Sequence, residues 1–280
     1  MKELLRVPNT QWHPDKTILC GQIFHWYQTE GARYLVRGKE ALQVKEVGDT
    51  IVFSGHTDDL PGWLRFLGLA ETQDLARYEN DPVLKEALDF ARGLRLLTQD
   101  PFVTIISFIL SANNHFARIR TAALAMAAHW GEPVFEGIHA FPAPERLAEV
   151  SPEELRRLCN TGYRDRYIAD TARRIAEGAW DLQKPYALST EDARAYLMQL
   201  PGVGPKVCDC ILLFAYGKGD TFPVDVWMHR VMTELYPEGP AARAQIAKEA
   251  IARFGDDAGL LQQMLFYYAK AHKLGAKKKI

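Results

Sequence analysis

The apolar residues of this chain change their spacing once, between residues 55 and 65, and that change limits the folds open to it. Upstream, residues 23–27, 34–37, 41–45 and 50–53 read as strands. Thr29-Glu30-Gly31-Ala32 supplies a reversal between the first two, with Gly31 at the position that needs a positive φ. Residues 41–45 alternate, which predicts an antiparallel sheet with one wet face. Downstream the period is three to four, first at Leu64, Leu67 and Leu75, then at Leu84, Leu88 and Leu94. The fold class expected is therefore α+β. A sheet domain with trailing helices covers residues 1–98, and a mostly helical region covers 99–280.

The helical region is well punctuated. Asp100 is placed to cap a helix opened by Pro101 and continued through residues 104–110. A second helix, 116–129, stops before Gly131-Glu132-Pro133, and residues 142–145 read as a connector. Ser151-Pro152-Glu153-Glu154 combines a cap, a first-position proline and an acidic residue three after the cap. Its helix runs to Cys159, with a break at Gly162. Further helices are expected over 167–180, 191–200, 206–216, 226–235, 241–254 and 259–273.

With 34 basic and 35 acidic side chains the formal net charge is −1, so overall charge gives no support for nucleic-acid binding. Such a surface has to come from local segregation. From residue 270 on the chain carries Lys270, Lys273, Lys277, Lys278 and Lys279 and no acidic residue, a tail suited either to solvent or to contact. Lys2, Glu3 and Arg6 interrupt any secretory signal. The apolar stretches at 102–110 and 207–216 are too short to cross a bilayer. Four cysteines are too few for a disulfide framework in 280 residues. Cys208 and Cys210 lie two apart on a helix, so they face different ways and do not chelate. The histidines lack ligand spacing. No metal is expected, and the setting expected is reducing and intracellular, in the cytoplasm or, in a prokaryote, at the nucleoid.

The most informative stretch is Leu200-Pro201-Gly202-Val203-Gly204-Pro205-Lys206, a hairpin between two amphipathic helices within residues 191–216. Gly202 and Gly204 permit positive φ and close approach by another backbone. The turn and the helix start expose N–H groups that can hold a phosphate oxygen. A plain helix-turn-helix packing motif is the alternative. Gly-Lys-Ser/Thr is absent, so this is no P-loop.

Lys206 follows the turn at a helix start, where the dipole disfavours an ammonium, and burial against Cys210 acts the same way. A neutral amine is what a Schiff-base nucleophile must be; the alternative is a lysine reaching out to solvent. Asp225, in Phe222-Pro223-Val224-Asp225-Val226-Trp227, reads as a helix cap whose carboxylate can also stabilise positive charge developing on a sugar. Asp209, near Lys206, is a weaker competitor that can simply pair with a base.

The hairpin, Lys206 and the Pro223-Val224-Asp225 segment resemble the helix-hairpin-helix glycosylases with a glycine-proline-aspartate loop, and within them the eukaryotic-type 8-oxoguanine DNA glycosylases and their bacterial members. Three more segments carry the likeness: Gly21-Gln22-Ile23-Phe24-His25-Trp26, the asparagine-rich run from Ser111 to Ile119, and Gly162-Tyr163-Arg164-Asp165-Arg166-Tyr167. The resemblance implies an active site in the cleft between helical lobes. It also implies a bifunctional glycosylase and apurinic lyase, in which Lys206 attacks C1′ of the deoxyribose beside Asp225, an imine forms, and β-elimination cuts the strand on the 3′ side.

The base must leave the duplex to be reached. By the same likeness Asn113 fills the gap and Arg118 and Arg164 meet the orphan cytosine. The Gly21 carbonyl reads the hydrogen on N7 of 8-oxoguanine. Cys210 and Phe266 flank the base, and Gln262 meets its Watson–Crick side. Gln262 and Phe266 are four apart on one helical face, although a core stripe with Leu261 and Leu265 has the same spacing.

Two departures stand out. Trp227 occupies the place of an expected histidine two residues past Asp225, which puts a phosphate contact in doubt. No cysteine follows Cys210, so the iron–sulfur cluster of some relatives is not expected, nor is any other cofactor. The expected partner is double-stranded DNA containing oxidised guanine, bound by a monomer with no membrane association. The alternatives are a glycosylase for other damaged bases, a non-catalytic helix-hairpin-helix DNA-binding protein, and a helical scaffold with no salt-dependent affinity for duplex.

Overall fold

A computed structural model describes residues 1–275. Five antiparallel strands, β1 (Lys2–Pro8), β2 (Trp26–Thr29), β3 (Ala32–Arg37), β4 (Glu40–Val47) and β5 (Thr50–Gly55), form one sheet in the order β1-β5-β4-β3-β2. The β2–β3 turn falls at Glu30-Gly31, with Gly31 at φ +74 and Thr29 opposite Ala32.

Three features of the sheet differ from the sequence reading. The edge strand β1 escapes it because Leu4 and Leu5 break the alternation, and the register indeed shifts between Glu3 and Leu5. Residues 23–25 are not paired in the sheet but run extended ahead of β2. They are buried in succession: Ile23 packs into the sheet core, whereas Phe24 meets Phe108 edge-on in the helical core, ring centres 5.7 Å apart.

One face of the sheet packs Leu35, Leu42, Ile51 and Phe53 against Trp12, Ile18, Trp63 and Leu67. These side chains come from and around α1 (Pro14–Ile18) and α2 (Leu60–Phe66). The other face is not wet as expected. Tyr34, Val36 and Ala41 are buried there beneath Ile138, in a small hairpin of β6 (Pro133–Phe135) and β7 (Ile138–His139). That cover comes from residues a hundred positions away, so local alternation could not announce it.

Next along the chain α3 (Pro82–Phe90) leaves the sheet, and the Asp100 carboxylate accepts the Val103 amide at 3.0 Å to start α4 (Pro101–Ser111). Then come α5 (Phe116–Trp130), α6 (Pro144–Ala148), α7 (Pro152–Cys159), α8 (Asp165–Ala176), α9 (Lys184–Ala187), α10 (Thr190–Leu197), α11 (Pro205–Tyr216), α12 (Val226–Leu235), α13 (Arg243–Phe254) and α14 (Ala258–His272). The capping box at Ser151 and Glu154 forms as its spacing predicts. Residues 142–145 are more than a connector: Pro144 opens α6, which buries Leu147 in the helical core.

The helices make two lobes. In one, α4 and α11 run through the centre, with Phe108 stacked on Phe214 at 5.5 Å. In the other, Leu84 and Ala87 of α3 pack with Val231, Ile246, Leu261 and Leu265 of α12, α13 and α14. Within the first lobe α10 and α11 form the hairpin. Arg194 donates twice to Asp209, from Nη2 at 2.7 Å and Nε at 2.9 Å, and so ties the two helices together. Asp209 is thus a structural partner of Arg194; burial raises its pKa and Arg194 opposes the rise. Among the described residues no helix is long and apolar enough to cross a membrane.

Candidate active site

Lys206 is the second residue of α11, directly behind Pro205, and its Nζ lies 5.5 Å from the centre of the Phe108 ring. Cys210, one turn on, is buried, and burial pushes its thiol up to about 11 against the opposing charge of Lys206. Cys208 turns the other way, its Sγ donating to the Arg194 carbonyl at 3.6 Å. Across the cleft Asp225 is the N-cap of α12 and accepts the Met228 amide at 2.6 Å. The buried side chains of Phe222 and Val224 fix the loop that carries it.

Lys206 and Asp225 both line two adjoining hollows. The inner one, of about 100 Å³, also contains Gly21, Cys210, Gln262 and Phe266, together with Phe24, Phe108 and Phe116. The outer one, of about 450 Å³, is bounded by Asn113, Arg118, Val226 and Trp227. Six residues drawn from four distant parts of the chain therefore meet at one cavity. A larger hollow of about 540 Å³ lies between the sheet and α4. Apolar groups such as Ile23, Phe102 and Phe141 dominate its wall, and none of the candidate residues lines it.

Gly21 sits at φ +94, with the tip of the Phe116 ring 2.4 Å from where a Cβ would stand. Its peptide is clamped from both sides. The buried Gln22 amide donates to the Thr17 and Arg95 carbonyls at 2.8 Å each and accepts the Leu97 amide at 2.8 Å. Gln99 donates to the Gln22 carbonyl at 2.8 Å, and Gln263 donates to the Cys20 carbonyl at 3.0 Å. These glutamines satisfy buried backbone groups and hold Gly21 still. The sequence reading did not single out Gln22 or Gln263 for this work, since their partners lie far along the chain.

At the opening Asn113 is exposed and left-handed, φ 51, at the tip of the turn between α4 and α5. Arg118 is exposed beside it. Arg164 is buried: its Nε donates to the Ala112 carbonyl at 3.0 Å and its Nη2 to the Asn113 carbonyl at 3.2 Å, with the guanidinium 4.4 Å from the Tyr163 ring centre. Here Arg164 holds the asparagine turn from beneath. Exposed Tyr163, which the sequence reading quoted only as part of a segment, stands next to it.

The hairpin glycines divide their roles. Gly202 adopts φ +80, but what approaches it is the Tyr167 ring, 2.7 Å from a Cβ position, rather than a backbone. Gly204 has an ordinary φ of −90 and nothing within 4 Å of a Cβ, so no positive φ is used there. It caps α11 without a side chain and leaves the first amides of that helix uncovered.

Trp227 meets Phe266 edge-on, ring centres 4.8 Å apart and planes at 90°, and its Nε1 donates to the Leu274 carbonyl at 3.0 Å. It braces the pocket wall. Lys270, one turn beyond Phe266, places its Nζ 4.4 Å from the Phe116 ring centre, and partial burial lowers its pKa. Lys273 ends α14; Lys277, Lys278 and Lys279 lie outside the described residues. No cluster of His, Cys, Asp or Glu suited to a metal occurs among the described residues.

A hairpin of two helices, a lysine at the start of its second helix and a capping aspartate facing that lysine across a two-lobed cleft define a helix-hairpin-helix DNA glycosylase. Residues 106–255 match the model of the HhH-GPD superfamily of base excision DNA repair proteins, and residues 4–105 match that of the 8-oxoguanine DNA glycosylase N-terminal domain. The chain belongs to this family. It is 36% identical over 222 residues to a probable N-glycosylase/DNA lyase of Methanothermobacter thermautotrophicus, covering 71% of each chain. It is 30% identical over 292 residues to N-glycosylase/DNA lyase OGG1 of Arabidopsis thaliana, covering 94% of this chain and 78% of that one. Among solved structures, the Clostridium acetobutylicum 8-oxoguanine glycosylase/lyase, in complex with double-stranded DNA containing cytosine opposite 8-oxoG, superposes with a TM-score of 0.87. The identity is 30%, over 96% of this chain and 94% of that one.

Proposed function

We propose that this protein excises 8-oxoguanine paired with cytosine from duplex DNA and then cuts the strand, with Lys206 as nucleophile. The observation that carries the reading is the convergence of Lys206 and Asp225 on the wall of the cavity that also holds Gly21, Cys210, Gln262 and Phe266. An amine there attacks C1′, and the glycosidic electron pair leaves with the base. The deoxyribose opens to an imine on Lys206. Loss of a proton from C2′ then expels the 3′ phosphate. Asp225 stabilises the positive charge that builds on the sugar, from a position fixed by its bond to the Met228 amide.

Selectivity follows from the clamp on Gly21. A carbonyl held in place accepts the N7 hydrogen of 8-oxoguanine. It faces an acceptor on guanine and leaves both unpaired, a difference of roughly 1–3 kcal/mol. Gln262 meets the Watson–Crick edge, and Cys210 and Phe266 close on the two faces. Asn113 enters the gap in the duplex. Arg118 and Arg164 meet the orphan cytosine, Arg164 by leaving the carbonyls it now serves. The uncovered amides after Gly204 take a backbone phosphate, with Gly202 shaping the turn. The Clostridium acetobutylicum protein, in complex with double-stranded DNA containing cytosine opposite 8-oxoG, is consistent with this pairing.

Borohydride trapping on duplexes that differ in lesion and opposite base tests the reading. We expect a covalent adduct with 8-oxoguanine opposite cytosine, lost in Lys206→Gln while lesion binding stays measurable. Strand cleavage by Lys206→Gln at wild-type rates would remove Lys206 from the mechanism, and intact binding with no wild-type adduct would leave a DNA-binding module.

A further inference from the structure

We propose that Phe116 is a plug that fills the base pocket in the free protein and must swing out before a base can enter. The inference rests on the reading that the cavity beside Lys206 receives a base, and it adds a residue that reading does not use. The inner cavity holds about 100 Å³, below the roughly 300 Å³ at which ligand pockets begin. A base that is to touch Gly21, Cys210 and Gln262 together has to displace part of the wall.

The wall offers few parts that can move. Phe24, Phe108 and Phe214 are buried in the helical core. Cys210 and Gln262 are buried on α11 and α14. Phe266 is braced by Trp227, which is itself hydrogen-bonded to the Leu274 carbonyl. Phe116, like Phe266 only partly buried, differs in its place: it is the first residue of α5, just past the exposed asparagine turn. Its ring tip occupies the place where a Gly21 Cβ would stand, so the ring lies against that residue on the pocket side. Its neighbours are Phe24 and Phe266, at 6.0 and 6.2 Å, and the Lys270 ammonium at 4.4 Å.

A plug makes a prediction that a wall does not. Displacing Phe116 costs every base the same, so its removal tightens binding without altering the ratio between bases. The contact with Lys270 alone is worth about two- to fivefold in a binding constant. A ring that stacked on the bound base as permanent wall would have the opposite effect.

The test is calorimetric titration of wild type and Phe116→Ala, as full chains, with the free base 8-oxoguanine and with guanine. We expect Phe116→Ala to bind both bases at least about twofold tighter, with their ratio unchanged. Weaker or equal binding by Phe116→Ala would overturn the plug. Should Phe116→Ala not fold, Phe116→Leu serves, and 4-fluorophenylalanine at position 116 gives an independent readout. Its fluorine resonance should shift on addition of duplex containing 8-oxoguanine and stay in place with undamaged duplex; a resonance unmoved by lesion duplex overturns the proposal. A wild-type borohydride adduct alongside weaker base binding by Phe116→Ala refutes the plug alone, whereas absence of the adduct refutes the functional reading.

Discussion

Replacing Asp225 by asparagine removes a charge and leaves a helix cap, which separates two roles held by one side chain. Asp225 accepts the Met228 amide at 2.6 Å, and α12 behind it buries Met228 and Val231 in the lobe formed with α3, α13 and α14. Asparagine caps as well as aspartate, so the first turn survives. What is lost is the favourable meeting of a negative charge with a helix start, about 0.5 kcal/mol. Alanine removes the cap too and costs about 1 kcal/mol, or some 2–4 °C in Tm for a domain of this size. Activity should not follow that order. If the carboxylate stabilises a cationic sugar, both variants lose a preorganised electrostatic contact worth about 3–4 kcal/mol, on the order of a hundredfold or more in rate. Single-turnover excision from an 8-oxoguanine duplex, run beside thermal denaturation, reads both quantities. Asparagine should melt near wild type and cut at least ~100-fold more slowly. An asparagine variant that keeps half the wild-type rate would leave Asp225 as a cap and nothing more.

Other perturbations probe the frame. Gln22→Leu strands the Leu97 amide and the Thr17 and Arg95 carbonyls; we expect a loss of about 2–3 kcal/mol by denaturant titration and weaker preference for 8-oxoguanine over guanine. Arg194→Leu leaves the Asp209 carboxylate buried without its partner between the hairpin helices. A destabilisation of about 3 kcal/mol is expected, at the low end for a broken buried pair because Arg194 is partly exposed. His25 is buried, with its Nε2–H donating to the His139 carbonyl at 3.0 Å, and burial lowers its pKa from 6.5 to about 4. Because the unfolded chain takes up that proton first, the neutral ring's contribution is complete above pH 6.5. It falls away as pH drops toward 4, by up to about 3 kcal/mol. Stability measured from pH 7 to 4 in wild type and His25→Phe should show a steeper decline in wild type; parallel curves would count against it.

The candidate site was legible where chemistry imposes a local pattern. The positive φ of Gly202, Lys206 just inside a helix, and an aspartate before another helix each follow from short-range rules of capping and turn geometry, whereas Gly204 does not use the positive φ expected of it. Gln262 and Phe266 came from the family resemblance; their four-residue spacing agreed with it but fitted a core stripe equally well. Contacts across long separations were hidden. Arg164, expected by resemblance to meet the orphan cytosine, serves the Ala112 and Asn113 carbonyls some fifty residues earlier. Phe116 looked like a helix start, and only the fold sets its ring against Gly21. The second face of the sheet looked wet because the residues that cover it come from β6 and β7.

By itself the sequence determined most of the central strands and the longer helices and where most of those helices begin, and it missed β1, α1, α6 and the β6–β7 hairpin. What it determined depends on interactions within a few residues: hydrophobic period, caps, and the φ freedom of glycine. The tertiary structure alone decided that Gly21, Lys206, Asp225 and Gln262 share one cavity, how small that cavity is, and what stands in its way. Such facts arise from packing between elements whose separation along the chain is large, and no local pattern records which surfaces will meet.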